Sequence, residues 1–309
     1  MEWLAAVALA VIADSGRIYA DNYISDVYFK GRGAVSQKYF YGIAFLILGP
    51  VLGVISGLDF TVARGDAYVL LILSGMFASL AGIPYYKALE QDDSTNLGIF
   101  IQIAPILYLV LGWLFLGETI SLLQLVAFLV ILAAPFLVIF TTRKRSRKTK
   151  IRAALYAFLY VLISVVGNLI FVKENAEELS FLNAMALIFF GKGLGNLLII
   201  AVRPAWRRRF KEVVRTSKKS VMRPLIGSMI GGVTKDFAYR GALVLAPSVA
   251  LASVTSDSAE PIVIFFMGII LTLIWPKFGR ESLTRKSVAV HLLATILVVI
   301  GVILIQYSA

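Results

Sequence analysis

Apolar residues recur along the chain in runs of about 20, the length a helix needs to cross a hydrocarbon core about 30 Å thick. Short polar or basic breaks separate the runs. Ten segments stand out, at 3–24, 38–57, 67–89, 95–116, 121–141, 152–172, 181–202, 224–246, 248–275 and 288–307. The first loses its clean apolar run at Asp14, and the ninth is interrupted by SDSAEP (256–261). No break is long enough to form a soluble domain. The pattern therefore predicts an all-α polytopic membrane protein with ten transmembrane helices, in which the bundle is the whole fold.

Composition agrees, since 59% of the 309 residues are hydrophobic against about 45–50% apolar in ordinary soluble domains. The formal charge of +12 is gathered in short breaks between spans, so it reads as a topology signal and not as a nucleic-acid footprint. RKRSRKTKIR (143–152) holds seven cations and no acid, and residues 203–223 hold nine cations against Glu212 alone. The positive-inside rule places both runs on the cytoplasmic face. Counting ten spans outward then places both termini on the opposite side. The opening MEWLAAVALAVIAD has no basic leader, which argues against a cleaved signal peptide.

The chain has no cysteine and one histidine, His291. This excludes disulfides, thiolate metal sites and a cysteine nucleophile, and it argues against histidine catalysis or a metal centre. No cofactor is called for. His291 reads as an interfacial residue near the start of the last span.

Two stretches about half a chain apart are alike. IPYYKALEQDDSTNLGIFIQIAP (83–105) and FAYRGALVLAPSVALASVTSDSAEP (237–261) both run aromatic, Ala-Leu, a polar or proline-containing turn, then a segment with an internal proline. Tyr85 aligns with Tyr239, and Pro105 with Pro261. Five spans per half would make the halves inverted, the usual construction of secondary transporters. The expected division is 1–142, a basic linker at 143–152, and 153–309.

With YKAL (86–89), IAP (103–105), GWLFLGETISLLQL (112–125) and GNLIFVK (167–173) in this order, the chain resembles the ten-span, EamA-like branch of the drug/metabolite transporter superfamily. Gly117-Glu118 looks like that family's short hairpin. FGRESLTRKS (278–287), longer and more basic, is no clean counterpart in the second half. The resemblance implies a secondary transporter with two five-helix repeats. It also implies cytoplasmic termini, contrary to the charge pattern.

A charge at the bilayer centre costs roughly 2.5–3.5 kcal/mol on insertion scales, so such groups face a bundle interior or a wet cavity. Asp14 and Arg17 lie in the first span, Lys192 in the seventh, Lys235, Asp236 and Arg240 in the eighth, and Asp257 and Glu260 in the ninth. Helical spacing puts Asp14 with Arg17, Asp236 with Arg240, and Asp257 with Glu260. Any one of these charges alone also reads as a member of a structural ion pair that locks helices together. However, the positions aligned with Lys235 and Asp236 are Ala81 and Gly82, and those aligned with Asp257 and Glu260 are Ile101 and Ala104. Charges that one half adds to a shared scaffold point to a ligand.

The expected substrate-binding set is Arg17, Tyr85, Tyr86, Asn168, Lys192, Lys235, Asp236, Tyr239, Arg240, Asp257 and Glu260. Asp14 resembles the coupling carboxylate of small multidrug exporters and is the candidate for proton coupling; Asn168 holds its place in the second half. Pro105 and Pro261 are candidate gating kinks. Trp113 is a further aromatic near the expected cavity, although packing or interfacial anchoring explains such aromatics equally well. Gly49, Gly53 and Gly57 form a small-residue stripe suited to helix contact.

A cavity with both signs of charge suits a small polar or zwitterionic metabolite, such as an amino acid, a sugar derivative or an organic anion, coupled to protons or sodium. A proton-coupled exporter of cationic drugs is the alternative. An intramembrane transferase would need acidic metal motifs, for which EQDD (90–93) and DNYISD (21–26) are poor matches. A non-transporting structural membrane protein is a further class. The family and short loops point to a bacterial or archaeal plasma membrane.

Overall fold

The computed structural model describes residues 2–29, 34–58, 65–89, 103–142, 151–177, 179–274 and 285–307. Among these residues the structure is helical, with no strand. The helices are α1 (Glu2–Tyr28), α2 (Lys38–Ile55), α3 (Gly65–Leu80), α4 (Gly82–Leu89), α5 (Ala104–Leu116) and α6 (Leu122–Thr142). They continue as α7 (Ile151–Glu177), α8 (Phe181–Val202), α9 (Pro204–Ser217), α10 (Lys219–Leu245), α11 (Val249–Ile274) and α12 (Arg285–Tyr307), and a 3-10 turn (Ala34–Gln37) precedes α2.

Seven described helices are long and apolar enough to cross a membrane, and Ala104–Leu116 and Leu122–Ala134 are apolar but shorter. The expected segment at 224–246 lies within α10, whose charges set it apart from these. Two spans whose apolar runs are interrupted in the sequence are continuous helices. α1 runs through Asp14 to Tyr28, and α11 runs through SDSAEP. Polar partners explain this continuity, because a charge answered by a neighbour need not end a helix. The region 203–223, read only as a basic run, contains α9. Its apolar positions Trp206, Phe210, Val213 and Val214 recur at helical spacing, and this had been masked by the cations.

Contacts divide the chain into two compact units, each drawing on both halves of the sequence. Unit 1 comprises 1–16, 86–161 and 234–309, and unit 2 comprises 17–85 and 162–233.

In unit 2, α8 packs against α2 on one side and α3 on another. Glycines make this possible. A Cβ on Gly49 would lie 2.5 Å from the Phe190 nitrogen, and one on Gly193 2.7 Å from the Leu46 nitrogen. On the α3 side, Cβ atoms on Gly75 and Gly191 would run into the carbonyl oxygens of Ile188 and Ile72. In lipid there is no hydrophobic drive between helices, so close backbone approach and van der Waals contact hold them. Ser74 and Ser79 add hydrogen bonds to the carbonyls of Gly167 (2.6 Å) and Lys192 (2.9 Å). The expected glycine stripe is thus divided. Gly49 makes the close contact and Gly53 an ordinary one, while Gly57 (φ +66°) serves the left-handed turn after α2.

In unit 1, α12 packs on α6, and α11 on α5, α6 and α12. The first turns of α11 are buried almost all round, from Val249 to Ser256. Their N-terminal amides need acceptors. Glu118 supplies one: its two carboxylate oxygens lie 3.2 and 3.1 Å from the Val249 N–H. The left-handed Gly117 (φ +66°) turns the chain after α5, and Gly112 leaves room for the carboxylate. Burial pushes the Glu118 carboxyl up, while the Val249 amide and Ser248 oppose that shift. The Gly-Glu motif is therefore a helix-docking device.

Glycine substitutions separate packing from propensity. Gly191→Ala should lower the thermal midpoint in detergent, costing about 2–3 kcal/mol, because the new methyl meets backbone. Gly227→Ala on exposed α10 surface, with nothing within 4 Å of its Cβ, should stabilise by about 0.5–1 kcal/mol. Equal midpoints for the two variants would contradict the close α3–α8 contact.

Candidate functional site

In unit 1, α1 turns Trp3, Val7, Ala10 and Val11 inward at helical spacing, and Asp14 comes next on that buried face. Lys235 of α10 brings its Nζ to 3.4 Å from Asp14 Oδ2. The side chains differ in access: Asp14 is 8% exposed and Lys235 34%. The Asp14 side chain is enclosed, whereas that of Lys235 is partly exposed. Lys235 Nζ also lies 5.6 Å from the centroid of the Tyr239 ring, within cation–π range.

From there a polar network extends to α5 and α11. The Tyr239 hydroxyl donates to the Tyr108 hydroxyl at 3.4 Å, and Ser253 Oγ donates to Asp257 Oδ2 at 2.9 Å. Ser253 is also hydrogen-bonded to Tyr239, and the charges acting on Asp257 are Lys235 and Asp14. Arg240 is buried with Asp236 one turn earlier and the hydroxyls of Tyr108 and Tyr239 close by. Four helices thus converge on one cluster holding three carboxylates, two cations and three hydroxyls.

Unit 2 has its own cluster, centred on Asp21. Its Oδ1 accepts from Ser228 Oγ (2.5 Å), Tyr41 OH (3.0 Å) and Gln37 Nε2 (3.1 Å), and its Oδ2 pairs with Arg17 Nη1 at 2.9 Å. Tyr41 and Ser228 are also hydrogen-bonded at 2.7 Å. A carboxylate with four donors is saturated, so this cluster ties α1 and α2 to α10.

Residues 34–140, less than half of the chain, match the model of the EamA-like transporter family. A solved crystal structure with 16% sequence identity shares the fold, at a TM-score of 0.69 over 97% of this chain and 94% of that one. No curated protein sequence matches. The EamA-like stretch holds α2 to α6 with Glu118 and Tyr108, but neither Asp14 nor the charges of α10 and α11.

Among the residues expected to bind substrate, unit 1 brings Lys235, Asp236, Tyr239, Arg240 and Asp257 together with Asp14. Glu260 lies one turn beyond Asp257 on α11. Arg17, Tyr85, Asn168 and Lys192 lie in unit 2. Arg17 pairs with Asp21 one turn along α1, and Asp14 with Lys235 of α10. Lys192 is buried, with its Nζ 5.7 Å from the Phe45 ring centroid. The side chains of Tyr86 and Pro261 lie outside the described residues, as do EQDD and most of the 143–152 linker. Pro105 occupies the first turn of α5, where its missing N–H breaks no helical bond.

One other expectation needs correction. Trp113 is 63% exposed and faces outward, so it does not line this cluster. His291 is buried and stacked on Phe265, with ring centroids 3.8 Å apart. Sequence reading missed Tyr108, Ser253 and Asp21. Hydroxyls in apolar runs carry no distinctive pattern, and DNYISD was read as a loop.

The Asp14–Lys235 pair can be tested by a double-mutant cycle. Asp14→Asn alone should lower stability by about 1–3 kcal/mol, because the Lys235 ammonium loses the charge of a carboxylate 3.4 Å away. Adding Lys235→Gln should recover part of that loss. Strictly additive midpoints in detergent would show that the two side chains do not interact.

Proposed function

We propose that the protein is a secondary active transporter working by alternating access between two inverted five-helix halves, 1–142 and 153–309. It moves a small polar or zwitterionic metabolite, such as an amino acid, a sugar derivative or an organic anion, across a bacterial or archaeal plasma membrane. The observation that carries this reading is the unequal access within one ion pair: the Lys235 side chain is partly exposed while that of Asp14 is enclosed. An ammonium beside hydroxyls and an aromatic face suits a carboxylate or phosphate. It repels a lipophilic cation, which counts against the drug-exporter alternative.

The same pair gives a route to coupling. When an anionic substrate takes Lys235, the ammonium's charge is shared and less of it answers the enclosed Asp14. A carboxylate whose counter-charge is weakened there is costly, so Asp14 takes up a proton, and anion and proton cross together. A cation displacing Lys235 from Asp14 would instead exchange against a proton.

Proteoliposome uptake of amino acids, sugar phosphates and cationic dyes tests the substrate class. Lys235→Gln should abolish uptake of the active solute with insertion and monodispersity intact; wild-type flux would assign Lys235 to structure. Asp14→Asn should lose accumulation driven by a pH gradient while substrate exchange persists. Retained gradient-driven accumulation would remove Asp14 from coupling, and uptake of the cationic dyes alone would favour the exporter.

A further inference from the structure

The helix α9 has two unlike faces. Phe210 and Val213 are buried with Ile24, Phe29, Val221 and Leu225, and Phe210 packs edge-on against Tyr39 at 5.5 Å. The apolar face is therefore already occupied by unit 2. Next to it, Arg207, Arg208, Lys211 and Arg215 are all exposed. At about 100° per residue these four fall within one arc of about 100°. Glu212 is the one acid on the helix, and its position lies outside that arc.

The neighbouring helices fix the depth of this surface. α8 runs directly into α9 and presents Leu198 and Val202, 47% and 70% exposed, in its last turns. α10 leaves α9 with Ile226 and Ile230, 47% and 61% exposed. Outward-facing apolar side chains of this kind in an integral membrane protein contact acyl chains. A basic helix joining the ends of two such helices lies at the level of the headgroups. Arg203, Lys218 and Lys219, also exposed, extend the charge at both ends.

We propose that the basic face of α9 is a docking surface for the anionic lipid headgroups of its leaflet. Amphipathic surface helices usually bind by sinking an apolar face into the acyl region. Here that face is spent on the protein, and what remains for the bilayer is a fixed row of cations. Such clusters attract an anionic membrane surface, and the attraction weakens with salt. The surface would hold α9 level and, through the Phe210 contacts, fix the ends of α1, α2 and α10. This inference is independent of the substrate site.

The test uses the full chain in nanodiscs of phosphatidylcholine with a minor fraction of phosphatidylglycerol. The lipids that remain bound on transfer to neutral detergent are quantified by native mass spectrometry. Wild-type protein should retain phosphatidylglycerol over phosphatidylcholine. The variant Arg207→Gln/Arg208→Gln/Lys211→Gln/Arg215→Gln should lose that preference by at least about tenfold, with its thermal midpoint in neutral detergent unchanged. Replacing the three arginines by lysine should keep the preference, since a surface field needs charge and not a bidentate fork. Equal retention by wild type and the glutamine variant would overturn the proposal. So would displacement of the lipid by millimolar inorganic phosphate, which would make the face a site for a soluble anion.

Discussion

A charge inside hydrocarbon must be answered by another polar group within reach, and this constraint organises the chain more than any other. α1 carries Asp14, Arg17 and Asp21 along a helix that is otherwise apolar. Each finds its partner: Asp14 meets Lys235 of α10, and Asp21 gathers Arg17, Gln37, Tyr41 and Ser228. With those partners the helix continues through the charges, and α10 is held in place by the same bonds. The two clusters differ in chemistry. Asp21 is saturated with donors and serves as a tie. Asp14 pairs with Lys235, whose side chain is partly exposed.

The second constraint is that helices in lipid gain nothing from hiding apolar surface from one another. Unit 2 meets it by removing side chains. Glycines on α2, α3 and α8 bring backbone onto backbone, and Ser74 and Ser79 donate across the gap. Unit 1 uses a polar anchor for a comparable purpose, since Glu118 in the turn after α5 caps the buried start of α11. That helix carries Ser253 and Asp257, so the Gly-Glu turn positions part of the polar cluster without belonging to it.

Much of the candidate site was legible because charges are rare in apolar runs. Lys235, Asp236, Arg240 and Asp257 stand out in any hydropathy profile, and Tyr239 emerged from comparing the halves. The Asp14–Lys235 pair was not legible, because helical spacing reports neighbours on one helix and is blind to a second helix alongside. Tyr108 and Ser253 were illegible for another reason: a hydroxyl in an apolar helix looks the same whether it faces lipid, backbone or a carboxylate. His291 shows the limit from the other side, since its place near a helix start gave no sign that it is buried and stacked on Phe265.

Sequence alone determined the class of the molecule. Run length and composition decide membrane helices, because bilayer thickness is fixed and every backbone polar group in it must be bonded within the helix. The order of short motifs carried the resemblance to the EamA-like transporters, whose family model matches residues 34–140. Only the tertiary structure decided which carboxylate meets which cation, that Gly57 turns the chain while Gly49 packs, and that α9 hides one face and shows another. Those outcomes depend on distances between segments far apart in the chain, and no local pattern of residues encodes a distance.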